Sequence, residues 1–336
     1  MKKKWDAFKK FMGRLFLCLL ILAVVVVIGA RCYFRFPVQE YYQVSQKAFK
    51  IPDCHTGFVA QGISYDSKTD SFFVTGYMAD GSASPIYVVS HRTGEAKRTR
   101  ILDTDGKPFA CHAGGLSVTE QYVYIAGGSD GCLYVYDRAA ILAGEPDEEI
   151  PCLGTFRTAL GDGTDIGVAF TTIHDNKLYV GEFYREQNYP TPKSHKLTTA
   201  AGDYNQALAV AYEFSETDDA VFGLSPNPVA AYSLPDQVQG MCFANKNIYL
   251  STSYGVAFSH MLVYEESSLQ PNGEIAGLPL YELDSAALTK DQKLPPMSEE
   301  IEYVPSEGLM YTMCESASNK YIFGKLTGGE WCYATK

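Results

Sequence analysis

The sequence predicts an all-β protein, a β-propeller of five four-stranded blades carried behind one N-terminal transmembrane helix. Three observations predict it. A short strand pattern centred on an aromatic residue recurs five times, each copy has the same strand-like neighbours, and one long apolar run precedes them all.

The apolar run comes first. From Leu15 to Ala30 every residue is apolar or glycine, and Phe11, Met12 and Gly13 extend it past a single Arg14. About twenty helical residues match a hydrocarbon core of ~30 Å, and Arg14 can snorkel toward headgroups. Lys2, Lys3, Lys4, Lys9 and Lys10 stand before the run, whereas only Arg31 and Arg35 follow closely. That asymmetry predicts a cytoplasmic basic tail over 1–14, a membrane anchor over 15–30 and everything beyond Cys32 outside. The rival reading is a cleaved signal peptide, for which Ile28-Gly29-Ala30 is a poor cleavage site. Both readings export the remainder, so the expected location is the cell membrane, single-pass, with the C-terminal domain extracytoplasmic.

Charge divides at the same boundary. Residues 1–35 carry +7 of a total of −11, which leaves −18 on residues 36–336. A domain so acidic repels nucleic acid and anionic surfaces. Nine cysteines include no C-x-x-C pair, which argues against a zinc ribbon or a dithiol redox motif. Cys242 and Cys314 lie inside apolar strand patterns and read as buried small hydrophobes.

The repeat begins beyond a juxtamembrane linker over 31–54, in which 38–52 can supply a closing strand; the propeller is expected over 55–336. The five copies are Phe72-Phe73-Val74-Thr75-Gly76, Val123-Tyr124-Ile125-Ala126-Gly127, Leu178-Tyr179-Val180-Gly181, Ile248-Tyr249-Leu250-Ser251 and Met310-Tyr311-Thr312-Met313. Their aromatics at 73, 124, 179, 249 and 311 are spaced 51, 55, 70 and 62 residues apart. Each copy follows a strand opening on glycine or an acid: Gly62, Gly115, Gly167, Gly240 and Glu300. Each precedes another apolar-aromatic strand, at 86–89, 133–136, 210–212, 262–264 and 321–323. Weaker fourth strands are expected at 97–101, 152–156, 229–234, 279–283 and 331–334. Beyond the anchor, helical periodicity is confined to 139–143 and 285–290. Four strands every ~40–50 residues with fixed aromatics and glycines describe propeller blades. Five is the direct count; the 70-residue interval leaves six open. A loop at 184–206, long enough to be functional, interrupts blade three.

These blade openings, Gln61-Gly62, Gln239-Gly240 and His112-Ala113-Gly114-Gly115, resemble those of secreted bacterial propellers. More broadly, residues 55–330 are similar to the gluconolactonase-like and NHL-repeat families. Gluconolactonase-like enzymes hold a divalent metal with an acid and asparagines along the channel. Matching asparagines are missing at these openings, so the resemblance implies architecture and does not carry lactonase activity over.

Propeller topology brings the loops before inner strands, and those after second strands, to one face around the channel. Gln61, His112, Asp165, Gln239 and Glu300 lead into inner strands; Tyr77, Glu182, Tyr184, Tyr254 and Glu315 follow second strands. The expected ligand-binding set is therefore Gln61, His112, Asp165, Glu182, Tyr184, Gln239, Tyr254 and Glu300. Tyr77, Tyr184, Tyr189 and Tyr254 fall outside the repeated core positions and are the aromatics free to meet a ligand. His112, Asp165 and Glu300 offer imidazole and carboxylate donors suited to a divalent cation. Two functions fit: a binding or scaffold module for a small ligand or an envelope partner, and a metal-assisted hydrolase of an ester, lactone or glycan. Gly127-Gly128-Ser129-Asp130-Gly131 fits a nucleophile elbow by letter only, because strands flank it on both sides. Asp103-Thr104-Asp105-Gly106 lacks the later acids of a calcium loop.

Overall fold

In the computed structural model, which describes residues 2–321, 324–327 and 329–336, five sheets stand around one axis, antiparallel except for one outer parallel pairing in each of blades one and three. Each begins with an inner strand: Phe58–Asp66, Leu116–Val118, Val168–His174, Val238–Ala244 and Ser298–Val304. These five strands pack in a closed ring, one against two and so on until five meets one. The protein is thus a five-bladed propeller, and the sixth blade left open by the sequence is not needed to fill the long interval. Much of that interval is the excursion at 184–206, which holds a small hairpin, Leu197–Thr198 with Tyr204–Asn205.

Alternation explains the packing. Successive side chains of a strand point to opposite faces, so each blade serves two neighbours. In the second strand of blade one (Ser71–Met78), Phe72 and Val74 join the core shared with blade five, while Phe73 joins the core shared with blade two. In the second strand of blade two (Tyr122–Ala126), Val123 and Ile125 return to blade one, and Tyr124 and Ala126 turn to blade three. Buried apolar side chains gather in five such clusters, one at each junction between blades. A fully buried large apolar side chain contributes ~1.5–3 kcal/mol, so both faces of every blade are sources of cohesion. Cys242 and Cys314 are both buried.

The outer strands correct the sequence reading in three places. Leu278–Glu282, expected as the fourth strand of blade four, runs parallel to Leu224–Leu234 and so extends blade three. The fourth strand of blade four is Leu288–Leu294, paired with Ser259–Glu265. Of residues 285–290, expected to show helical character, 285–287 therefore form a turn and 288–290 begin that strand. Short strand segments satisfy either periodicity, and only pairing separates them. Of the third strand expected at 321–323, residues 322 and 323 lie outside the described residues. Trp331–Thr335 takes the third position in blade five, and Ser45–Lys50 pairs with it as the outermost strand. Blade five is therefore built from both ends of the chain.

The N-terminal helix, Lys2–Arg35, is 34 residues and ~51 Å long at 1.5 Å per residue. It is long and apolar enough to cross a membrane. The expected helical stretch at 139–143 is the helix Arg138–Ala143, capped by the Asp137 carboxylate accepting from the Ala140 amide at 2.8 Å. Its Arg138 donates from Nε to Asp66 at 3.0 Å, a buried ion pair that ties blade two to the first turn of blade one.

Candidate functional site

Bulges in the inner strands shape the channel. Register breaks fall between Ala60 and Gly62, Val168 and Phe170, Val238 and Gly240, and Ser298 and Ile301. The residues left over are Gln61, Ala169, Gln239 and the pair Glu299-Glu300. A bulge bends its strand and re-aims its extra side chain, so four blades present an unpaired residue near the axis at one level.

Above this level opens a cavity of about 930 Å³. Gln61, Tyr77, His112, Asp165, Glu182, Gln239, Tyr254 and Glu315 all line it. On its floor Gln61 donates from Nε2 to Glu315 Oε2 at 3.0 Å. Gln239 Nε2 lies 3.5 Å from Glu299 Oε1. Burial raises both carboxyl groups, with Glu315 as the next cause at Glu299, while Lys320 pulls Glu315 back down. On one side the His112 ring lies 4.5 Å from that of Tyr77. Burial and then Lys320 lower the His112 imidazole toward its neutral form. Lys320 donates to the Tyr77 hydroxyl, which is 3.4 Å from that of Tyr321.

The opposite wall is aromatic. Phe183 and Tyr189 meet edge to face at 5.2 Å, and the Arg185 guanidinium stands 4.0 Å over the ring of Tyr254. Tyr189 and Tyr254 are 43% and 38% exposed, so both rings remain open at the rim. Asn188, Tyr189, Pro190, Thr191 and Pro192 of the excursion complete this wall.

The remaining expected residues are engaged elsewhere. Arg157 holds Asp165 by two hydrogen bonds of 2.9 Å, so the carboxylate at the rim is already neutralised. Glu182 accepts from His195 Nδ1 at 2.8 Å and from the Leu208 amide at 3.0 Å. His195 Nε2 is 2.7 Å from the Thr164 hydroxyl, which resembles a nucleophile and base on paper. The same hydroxyl donates to Asp162 at 2.5 Å, so the arrangement tethers the excursion and does not ready a nucleophile. Tyr184 is buried in the core between blades three and four, under the Lys196 ammonium at 4.2 Å.

Glu300 lies beneath the cavity. Its Oε1 accepts from Thr171 N at 2.9 Å, and its Oε2 accepts from Ile63 N at 2.8 Å and Leu116 N at 3.0 Å. His112, Asp165 and Glu300, read from the sequence as cation ligands, thus sit in three different environments. Among the described residues no three His, Cys, Asp or Glu side chains converge on one point. The two rejected motifs are turns: Asp130 accepts from Cys132 N at 3.1 Å, and Asp103 from Lys107 N at 2.9 Å. Sequence reasoning did not single out Glu299, Lys320, Tyr321 or Phe183 for the site.

No family model and no curated protein matches the chain. Solved structures with a similar fold include the glutaminyl cyclase of Myxococcus xanthus, at 13% identity over 87% of this chain and 94% of that one, with a TM-score of 0.44. The exo-β-1,3-galactanase of Phanerochaete chrysosporium matches at 12% identity over 87% of this chain and 63% of its own, with a TM-score of 0.46. The Swd1 β-propeller domain of Myceliophteria thermophila matches at 10% identity over 80% and 96%, with a TM-score of 0.37.

Proposed function

We propose that this chain is a membrane-anchored, extracytoplasmic binding module whose channel cavity takes a neutral saccharide. The lysine-rich segment before the apolar run and the sparse positive charge after it support that sidedness. One observation carries the ligand class: the carboxyl groups and the imidazole lining the cavity are paired or held toward their neutral forms, leaving amide donors and acceptors beside aromatic rings at the rim. Asp165 is matched by Arg157 and Glu182 is bonded to His195, while burial favours the neutral forms of Glu315 and His112. Asp165, Glu182 and Glu315 leave a cation no unpaired carboxylate there, so it would lose its hydration uncompensated, while the lining ammonium, Lys320, already donates to the Tyr77 hydroxyl. A sugar gains hydrogen bonds to Gln61 and Gln239, and its C–H face can cover Tyr254 or Tyr189.

The test is calorimetric titration of the full chain, in a detergent without a sugar headgroup, with neutral and acidic mono- and oligosaccharides. Binding of a neutral saccharide that is lost in Tyr254→Ala and in Gln239→Leu is expected. Equal binding of the acidic sugars, or binding unchanged in both variants, would overturn the assignment.

A further inference from the structure

A second cavity, of about 720 Å³, lies where the N-terminal helix meets the loop that closes blade five. Arg31, Arg35, Phe36, His55, Leu326 and Glu330 are among its lining residues. Arg31 and Arg35 are four residues apart on one helix and so share a face. The lining carboxylate, Glu330, is 3.4 Å from His55 Nε2. Two arginines therefore line the cavity with one carboxylate that has another partner, and the Arg35 guanidinium also stands 3.7 Å over the Tyr42 ring. Next to Glu330, Lys47 and Lys50 stand 4.6 and 5.4 Å over the ring of Trp331. This cationic patch belongs to a region of the chain, residues 36–336 with Arg31 and Arg35 added, that is otherwise strongly acidic.

Position identifies the occupant. Arg31 directly follows the last residue of the apolar run, so the cavity opens at headgroup level if that run spans the bilayer. Phe36, 67% exposed, offers an apolar surface beside the two arginines. A phosphodiester suits guanidinium forks, and an adjoining apolar surface suits the glycerol and upper acyl carbons of the same molecule.

We infer that this cleft binds one anionic phospholipid by its headgroup phosphate, with Arg31 and Arg35 as the anion-binding residues. The inference rests on the membrane placement of residues 15–30. Bound there, the lipid would brace the propeller against the anchor and set the distance of the saccharide cavity from the membrane.

The test places the full chain in nanodiscs of phosphatidylcholine alone or mixed with phosphatidylglycerol. Native mass spectrometry then reads the lipid that stays bound after release from the disc. Several-fold enrichment of phosphatidylglycerol over its share of the disc is expected. Enrichment should fall to parity in Arg31→Gln plus Arg35→Gln, and in part in Arg31→Gln alone, which spares the Arg35 contact with Tyr42. It should persist when Lys2, Lys3 and Lys4, at the other end of the helix, are changed to Gln. Parity in the unaltered chain, or enrichment that survives the double variant, would overturn the site. Displacement of the lipid by inorganic phosphate at millimolar levels would make it a free-anion site and overturn the lipid assignment. A chain that never enters the disc would overturn the membrane placement itself, a separate outcome visible before any lipid is counted.

Discussion

Glu300, on the inner strand of blade five, accepts a hydrogen bond at 3.0 Å from the backbone amide of Leu116 in blade two. Its two oxygens also take the amides of Ile63 in blade one and Thr171 in blade three. The side chain is 1% exposed, and burial drives its carboxyl upward while the three amides act against that rise. In Glu300→Gln the amide nitrogen cannot accept, so at least one buried N–H loses its partner, at ~1–3 kcal/mol each. We expect a lower thermal midpoint and a larger fall in Glu300→Ala. Gly115→Ala should do the same from the other side, since its Cβ would stand 2.4 Å from Glu300 Oε1 and from Phe170 Cα. Thermal denaturation followed by circular dichroism reads all three; midpoints equal to that of the unaltered chain would contradict the account.

Glu302, two residues on, predicts a pH dependence. Burial raises its carboxyl to about 8, with only a backbone hydrogen bond from Tyr65 opposing. In the unfolded chain it titrates near ~4.3. The folded state therefore holds the proton more tightly, and stability from this group is full below ~4.3 and is lost as pH rises through about 8. Glu302→Gln keeps the neutral shape at all pH values. Its thermal midpoint should exceed that of the unaltered chain at pH 9, with the gap closing as pH falls to 5. Allowing for a side chain that is not wholly buried, the gain at pH 9 is ~1–3 kcal/mol. A constant gap between the two melting curves across this range would refute the assignment.

The blades were legible because the signal is periodic and local. Phe73, Tyr124 and Tyr179 mark second strands by aromatic residues between apolar ones, and pleat alternation does the rest. Sheet membership was not legible. Leu278–Glu282 reads as a strand, but nothing within it says that it will leave blade four and lie against Leu224–Leu234. Bulges limited the reading of the site in another way. An extra residue reverses which side chains face the channel, so between Glu299 and Glu300 the sequence pointed to the one that turns down to the axis. Gln61 and Gln239 were found because each is followed by the glycine that lets inner strands approach. Tyr321 aligns with the repeat as the start of a third strand, whereas it lies at a bend beside Lys320, and only the closed ring brings the two to Tyr77.

The clasp on the excursion makes a kinetic prediction. His195 is buried between Glu182 and Thr164, 2.8 and 2.7 Å from its two ring nitrogens. It is one polar anchor of the segment that carries Asn188 to Pro192 over the cavity, beside Thr191 and Asn205. His195→Ala removes both contacts and leaves Glu182 with the Leu208 amide alone among these partners. Losing ~1–3 kcal/mol of local anchoring multiplies the open population by roughly 5- to 150-fold. Tryptic cleavage after Lys193 or Lys196 should accelerate accordingly, while the global midpoint changes less than in Glu300→Ala. Cleavage at the original rate would show that the segment is held by other contacts.

The closing strand sets where a soluble fragment can begin. Ser45–Lys50 pairs with Trp331–Thr335, Ser45 Oγ lies 2.8 Å from Thr335 Oγ1, and Phe49 packs 5.3 Å from Phe72 in the core between blades five and one. A chain starting at residue 51 would leave blade five with three strands and an unpaired edge next to a gap in that core. Truncating a buried phenylalanine costs ~3–5 kcal/mol, and an open edge invites pairing between molecules. We expect a chain starting at Phe36 to unfold cooperatively as a monomer, and one starting at residue 51 to melt lower and to associate. Phe49→Ala in the longer chain should lower the midpoint by the core contribution alone, without association. Size-exclusion chromatography with light scattering, run beside thermal melts, separates the two effects. Equal midpoints and equal masses for the two fragments would mean that the ring closes without its N-terminal strand.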